Sequence, residues 1–566
     1  MPFLSLELAK SIKDKISSDE SYLKKLYKVK KSPYLHLSVL HSLVEDYVKK
    51  GWEIETELKT KTKIRKLKKH GQKFEDEIWC QFYEIGYRIL NIDENLIFPF
   101  GKDEEERKQV DVFAINDDTA LIVQCKSAEI LKRPNFLKDQ FELLSLHIDG
   151  FNKTVKQIYG ERRIKFVYAT RNLRINPNSI HVERLKKTNS YLHDDNSFMY
   201  LNSLIKNYKN VAHYQFLGIL FRNQIINKTI IELPALEGKM GGLKYYMFSI
   251  EPAKLLKMGF ILHRTRANES LMPTYQRLLV PSRLRGITKF IDGENGEGGG
   301  FFPNSIIVNF NDPKKKLKFN SNSPSKGSVS NSGTLRIPNT YSIAYIIDGQ
   351  HRLYGYANSK FSKTDSIPVV AFVNLSNMQQ LEMFMDINQN QKAVSPSLRL
   401  TLEEDLYWNS KRADSRLKAL NSSIVKRLGT LNNSPLYNKV SIGEDSSLLK
   451  FKPITLAIRH SGLIPQAKGN QYSEKFSDSC LYNIANQNHD EEMNKSRIHV
   501  SDLIIECLNT VEENYPSVVQ REDYFVSGNR GLYAFINSIG SLNAWLHKKG
   551  SLTKKTNLKD RVANIT

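Results

Sequence analysis

"VDVFAINDDTALIVQCK", Val110 to Lys126, sets two apolar runs on either side of Asn116-Asp117-Asp118-Thr119. The runs are strand-like and the four polar residues between them have turn chemistry. If Asp117 and Asp118 are the central pair of a tight hairpin, Asn116 pairs with Thr119, and counting back sets Asp111 opposite Gln124. Side chains alternate along a strand, so Gln124 and Lys126 share that face. A carboxylate, an amide and an ammonium then converge on one patch, and a one-residue slip would send Asp111 to the other face. An Asp carboxylate with a side-chain or backbone carbonyl offers the hard oxygens that suit Mg²⁺. Such a metal polarises a phosphate and acidifies a water, and a nearby Lys orients that water or stabilises developing charge. The plain alternative is a hairpin with one wet face, because this spacing alone is common.

Upstream, "FEDEIWCQFYEIGYRIL" (74–90) repeats apolar residues at Phe74, Ile78, Phe82, Ile85 and Ile89, a helical period, with Gly86 near a helix end. Downstream, "IKFVYAT" (164–170) reads as another strand. "FEDEIWCQFYEIGY", "VDVFAI" and "IVQCK" together resemble the Mrr-like branch of the PD-(D/E)XK restriction-endonuclease fold, which carries Gln in the second metal-binding position. The resemblance implies a nuclease domain over residues 71–180. Asp111 and Gln124 would hold Mg²⁺ or Mn²⁺, and Lys126 would be the catalytic lysine. Glu75 matches the acidic residue of the family's "FE" segment and would join them as catalytic residue and metal ligand, with Glu77 close by.

The formal net charge of +23 favours a polyanionic partner, nucleic acid first and anionic membrane second. Cys80, Cys125, Cys480 and Cys507 are scattered, which points to neither a disulfide framework nor a zinc knuckle. Met1 leads into a short Lys-interrupted segment unlike a signal peptide, and no run of apolar residues is long enough to span a bilayer. The expectation is a cytoplasmic protein without a membrane partner. Residues 1–70 read as a basic helical region. "ELKTKTKIRKLKKHGQK" (57–73) is either a solvated helix face or linker, or a phosphate-contacting arm with Lys66, Lys68 and Lys69 on DNA. Residues 181–239 read as a helical connector and 401–566 as a helical C-terminal region. "DGENGEGGG" (292–300) and "NSNSPSKGSVSNSG" (320–333) read as loops; the first lacks the Lys-Ser/Thr of a P-loop.

"SIAYIIDGQHRLYGYANS" (342–359) is a strand running into a helix. Unpaired backbone N–H groups at such a junction attract anions. Gly349 permits a tight turn, Arg352 offers a planar fork, and His351 can donate or act as acid or base. Asp348 repels phosphate, so it suits a helix cap, a hold on His351 or Arg352, or a metal. A surface turn with a capping Asp is the plain alternative. The pentapeptide resembles the signature of DGQHR-domain proteins, a group that includes the DndB-like proteins of bacterial DNA-modification systems. "YQRLLVPSRLRGITKFI" (275–291), "FFPNSIIVNF" (301–310) and "MFMDINQNQKAVSP" (383–396) support it in order. Over residues 240–400 the resemblance implies a ParB/sulfiredoxin-like fold whose turn binds nucleotide phosphates. Asp348, Gly349, Gln350, His351 and Arg352 would bind an NTP, ATP first, with Asn388, Gln391 and Lys392 lining the same cleft. Gln276, Arg277 and Arg283 are candidates for DNA contacts, against a structural role for each.

The expected fold class is therefore α/β and α+β multidomain: a restriction-endonuclease-like domain, a DGQHR domain and a helical tail. The joint reading is a prokaryotic defence or restriction effector, a Mg²⁺-dependent DNA endonuclease controlled by a nucleotide- and DNA-sensing domain. Its partners would be double-stranded DNA, an NTP and other defence or modification proteins, and a homodimer would ease cutting of both strands. The alternative is a DndB-like DNA-binding regulator or accessory NTPase without nuclease activity.

Overall fold

In the computed structural model, Val112–Ile115 pairs antiparallel with Thr119–Lys132 in the register counted from the sequence: Val112 faces Val123 and Ile115 faces Ala120. Asn116 closes the turn, its backbone N–H on the Thr119 carbonyl (2.9 Å) and its side-chain oxygen accepting from the Asp118 and Thr119 N–H groups. The structure describes residues 3–565 except 134–136, 177–178, 266, 268–274, 277, 294–298, 323–326, 328, 390–395, 444, 446, 516–527 and 555. The chain forms two compact units, Met1–Gln224 and Ile225–Thr566.

The first unit runs α1 (Leu6–Asp14), β1 (Ile16–Ser17), α2 (Glu20–Lys31), β2 (Tyr34–Val39), α3 (Val44–Lys49), β3 (Glu53–Glu57), β4 (Thr62–Leu67) and α4 (His70–Glu84). It continues with β5 (Ile89–Asn91), β6 (Ile97–Pro99), β7 (Arg107–Gln109), β8 (Val112–Ile115), β9 (Thr119–Lys132), α5 (Leu137–Tyr159) and β10 (Arg163–Leu173). It ends with α6 (Ile180–Lys187), β11 (Ser190–His193), α7 (Asp195–Tyr208) and α8 (Ala212–Leu220). Six strands make its main sheet in the order β1-β5-β8-β9-β10-β11, with β9, β10 and β11 parallel. Phe98, Phe113, Phe151, Phe166 and Tyr168 fill one core.

Three sequence expectations need correction here. Residues 1–70 are not simply helical, since β2, β4 and β3 form an antiparallel sheet and β1 pairs with β5. The lysine density hid a strand period in "TKIRKL", where Thr62 and Ile64 are buried while Lys63 is exposed. The helix read within 74–90 starts earlier, at His70, and ends at Glu84, beside Gly86 as the sequence indicated: Gly86, at φ 112°, turns the chain and the Tyr87 N–H returns to the Phe82 carbonyl. The 181–239 connector is only partly helical. β11 extends the first sheet, and Ile225 opens a long strand whose Leu233 and Ala235 point inward.

The second unit runs β12 (Ile225–Met240), β13 (Leu243–Ile250), α9 (Pro252–Met258), β14 (Gly259–Phe260), α10 (Pro281–Asp292), β15 (Ile306–Phe310), β16 (Lys318–Ser321), β17 (Asn331–Thr340) and β18 (Ala344–Asp348). Then come α11 (Gln350–Gly355), β19 (Ile367–Val373), α12 (Asn377–Gln389), α13 (Pro396–Tyr407), α14 (Ala413–Thr430), α15 (Phe451–Ser461), α16 (His489–Asn514), α17 (Asn529–Lys548) and α18 (Leu558–Ile565). Its sheet has the order β14-β18-β15-β19-β13-β12-β17-β16. The loop expected at 320–333 is shorter, because Asn320 and Ser321 pair with Thr334 and Gly333. Beyond residue 400 the described elements are mostly helices, with one short hairpin pairing Ala467–Lys468 with Gln471–Tyr472, around a core that includes Leu420, Ile424, Ile458, Leu503 and Ile536. Among the described residues no helix is long and apolar enough to cross a membrane.

Candidate active site

Asp111 sits one residue before β8, its N–H on the Val123 carbonyl (3.1 Å), so the ladder extends to face Gln124. The Gln124 amide nitrogen donates to Asp111 Oδ2 at 2.6 Å, and the Cys125 N–H reaches the same oxygen at 2.7 Å. Asp111 donates nothing in return, which leaves the Gln124 carbonyl oxygen as a further acceptor. On β10, Tyr168 lies beside Gln124 and Thr170 beside Lys126. The arrangement is a half-buried patch where the chain enters β8 beside the middle of β9, with α4 packed on the same hairpin.

Burial raises the Asp111 pKa against the pull of the Cys125 N–H, Lys126, Gln124 and Lys108. Glu75, on α4, is pushed up to about 7 by burial first and by the Asp111 charge second, with Glu94 and Asp76 adding to it. Two carboxylates that repel each other in a partly dry patch attract a cation. Glu77 takes a different role, pairing with Arg171 at 3.1 Å. Lys108 on β7 was not singled out by the sequence. Burial and Lys126 lower its pKa while Asp111 opposes them, so it belongs to the same patch. Only the separate short β6–β7 hairpin brings it there, and no periodicity announces that.

Among the described residues no group of three or more His, Cys, Asp and Glu side chains forms a metal cluster. The donors here are two carboxylates and an amide oxygen, a hard set that fits Mg²⁺ or Mn²⁺, ions that commonly keep waters and take substrate phosphates as further ligands. Glu75, Asp111 and Gln124 would hold the ion, which when bound would polarise a phosphate and acidify a water.

The raised Glu75 pKa carries a stability sign. The folded protein binds the Glu75 proton more tightly than the unfolded chain, whose carboxylate titrates at an ordinary value. The folded state is therefore penalised above about pH 7, and the penalty disappears as pH falls through that value toward 4.5. Glu75→Gln is expected to raise the thermal midpoint of the first unit near about pH 8, with the gain gone by about pH 5. Calorimetry of the full chain at both pH values checks it; an equal gain at both would mean that Glu75 is not strained.

Of the three lysines expected on DNA, Lys68 is corrected. Its side chain is 1% exposed, and its ammonium meets Asp76 at 2.8 Å and the Val29 and Lys30 carbonyls at 3.0 Å. Asp76 also binds Lys30 at 2.5 Å. Lys66 is half-buried and donates to the Lys50 carbonyl at 2.6 Å, while Lys69 is exposed at the start of α4.

In the second unit, β18 ends at Asp348, and Gly349 at φ 89° turns the chain into the short helix α11. Arg352 folds back onto Asp348 (2.9 Å) and donates to the Asn304 carbonyl. Of the roles open to Asp348, the structure shows the hold on Arg352. His351 Nε2 accepts the Val280 N–H at 3.4 Å, and Gln350 is buried. Gln276 is fully buried and donates its amide to the carbonyls of Ile346 and Ile347, an internal tie on β18 that replaces the expected DNA contact. Arg283 is exposed on α10. Asn388 lies on α12, its side chain outside the described residues, as are Arg277, Gln391 and Lys392. A Cβ on Gly349 would sit 2.5 Å from Ile306 Cδ1 in a left-handed backbone. Gly349→Ala is thus expected to cost about 1–2 kcal/mol of second-unit stability, read from urea unfolding; an unchanged midpoint would refute the strain.

Residues 233–431, from within β12 to the end of α14, match a family model described as DNA-sulfur modification-associated. The family is DndB, so this stretch, which holds the Asp348–Arg352 turn, is a DndB-like domain. No curated protein and no solved structure matches the chain.

Proposed function

We propose that the chain is a DNA-acting effector of a DNA-sulfur modification system, with a Mg²⁺-dependent endonuclease of the PD-(D/E)XK type in residues 71–180 and a DndB-like domain that controls it. One observation carries the nuclease reading: Asp111 and Gln124 meet at 2.6 Å across neighbouring strands while the charge of Asp111 reaches Glu75. Glu75, Asp111 and Gln124 bind the metal, and Lys126 steers the attacking water or steadies charge on the phosphate. The net charge of +23 favours DNA as substrate. In the DndB-like domain an NTP phosphate takes Arg352 in exchange for Asp348, shifting the population between restrained and active forms.

The test is incubation of the full chain with plasmid and with phosphorothioate-containing and plain duplex DNA, with Mg²⁺ or EDTA and with each NTP. Metal-dependent cleavage supports the reading, and its absence on every substrate overturns it. A second reading has one support: the family match lies wholly outside the Asp111 site. On that reading the chain is a DNA-binding regulator, with tight, salt-sensitive binding and no cut product.

A further inference from the structure

A cavity of about 660 Å³ opens in the helical tail, far along the chain from both motifs. That volume lies in the range of small-molecule sites. One wall is α16, which turns Glu492 and Lys495 to the same side, one helical turn apart. The facing wall is the segment that ends in α18, with Lys554, Leu558 and Arg561. Tyr482 lines a third side.

The polar groups of this cavity are unevenly committed. Glu492 is 3% exposed and already saturated, accepting the Asn483 N–H (2.7 Å), the Asn486 amide (3.1 Å) and the Ser496 hydroxyl (3.1 Å). Arg561, equally buried, is fixed by the Thr553 carbonyl (2.6 Å) and by Asn543. Lys554 makes one neutral bond, to the Ser477 carbonyl at 2.8 Å. Lys495 makes no ion pair among the described residues. Three cations therefore face one carboxylate, and none of the three is neutralised by an acid among the described residues. Lys495 and Lys554, both exposed in the lining, can engage an anionic head group over the positive field of buried Arg561. Leu481 and Leu558, both half-buried in the lining, give an apolar body something to lie against.

We propose that this cavity binds a nucleotide-sized organic phosphate, independently of the Asp348–Arg352 turn. A monocarboxylate carries too little charge for two separated ammonium groups, whereas a dicarboxylate rivals phosphate there, so succinate is the competitor that tells a phosphate site from a general dianion site.

The test measures binding of fluorescent N-methylanthraniloyl-ADP to the full chain carrying Arg352→Ala, so that the turn contributes nothing. Binding should persist there, be displaced by ADP and not by succinate, and weaken at least about tenfold on adding Lys495→Glu and Lys554→Glu. Both lysines are exposed, so the variants should keep the wild-type circular dichroism and thermal midpoint. Absence of binding in the Arg352→Ala protein, displacement by succinate as readily as by ADP, or equal binding after the charge reversals would each overturn the proposal.

Discussion

Asp111→Ala is expected to lower the proposed metal-dependent DNA cleavage by at least about 100-fold, since even supporting groups around a metal typically cost 10–100-fold when removed. Asp111 is a proposed ligand and also the acceptor for Gln124 and the Cys125 N–H. Its loss removes one charge from the donor set and frees two donors. Lys126→Ala is expected to slow cleavage by about 100- to 1,000-fold while leaving the metal requirement and DNA affinity near wild type. Single-turnover rates across a Mg²⁺ titration, with binding measured in Ca²⁺, separate the two effects. The Asp111 variant should need more metal and the Lys126 variant should not. Wild-type rates in both would dispose of the site.

Asp76→Ala should give the largest loss of stability in the first unit, about 3–5 kcal/mol, because it strands a cation in the interior. Lys68 is 1% exposed and would keep only two backbone carbonyls as partners, while Lys30 would lose its 2.5 Å contact beneath Trp79. Denaturant unfolding followed by tryptophan fluorescence reports on it, since Trp79 is buried on the same helix. Asp76→Leu combined with Lys68→Met and Lys30→Met should recover much of the loss, because the carboxylate and both of its cations would be gone together. A drop under about 1 kcal/mol in Asp76→Ala would show that the carbonyls alone satisfy Lys68. In DNA binding, Lys68→Met should leave the salt dependence unchanged, as expected of a lysine that meets no phosphate.

The hairpin was legible because its information is local. A two-residue loop flanked by Asn116 and Thr119 fixes which residues stand opposite, and the Asp111–Gln124 pair follows by counting. The positive φ of Gly349 was legible for the same reason. What depended on distant segments was not. Lys68 looked like one more surface lysine until Asp76 met it from α4, and Gln276, read from the sequence as either structural or a DNA contact, was settled as structural only by β18 running beside it. Lys108 reaches the patch through a hairpin of three-residue strands, too short to leave a period in the sequence. In β4 the alternation was present, with Ile64 inside, but charge obscured it.

The Asn116 turn has a consequence for how such a protein can vary. Changing what stands at Asp117 alters only the tip, where it is exposed. Adding one residue would ratchet β8 past β9 by a step, exchange the two buried faces on which Val112 and Phe113 pack, and carry the carboxylate to the wrong side of the sheet. Length at this tip is thus a stricter specification than identity, and an insertion there should disarm the protein while sparing every side chain of the patch.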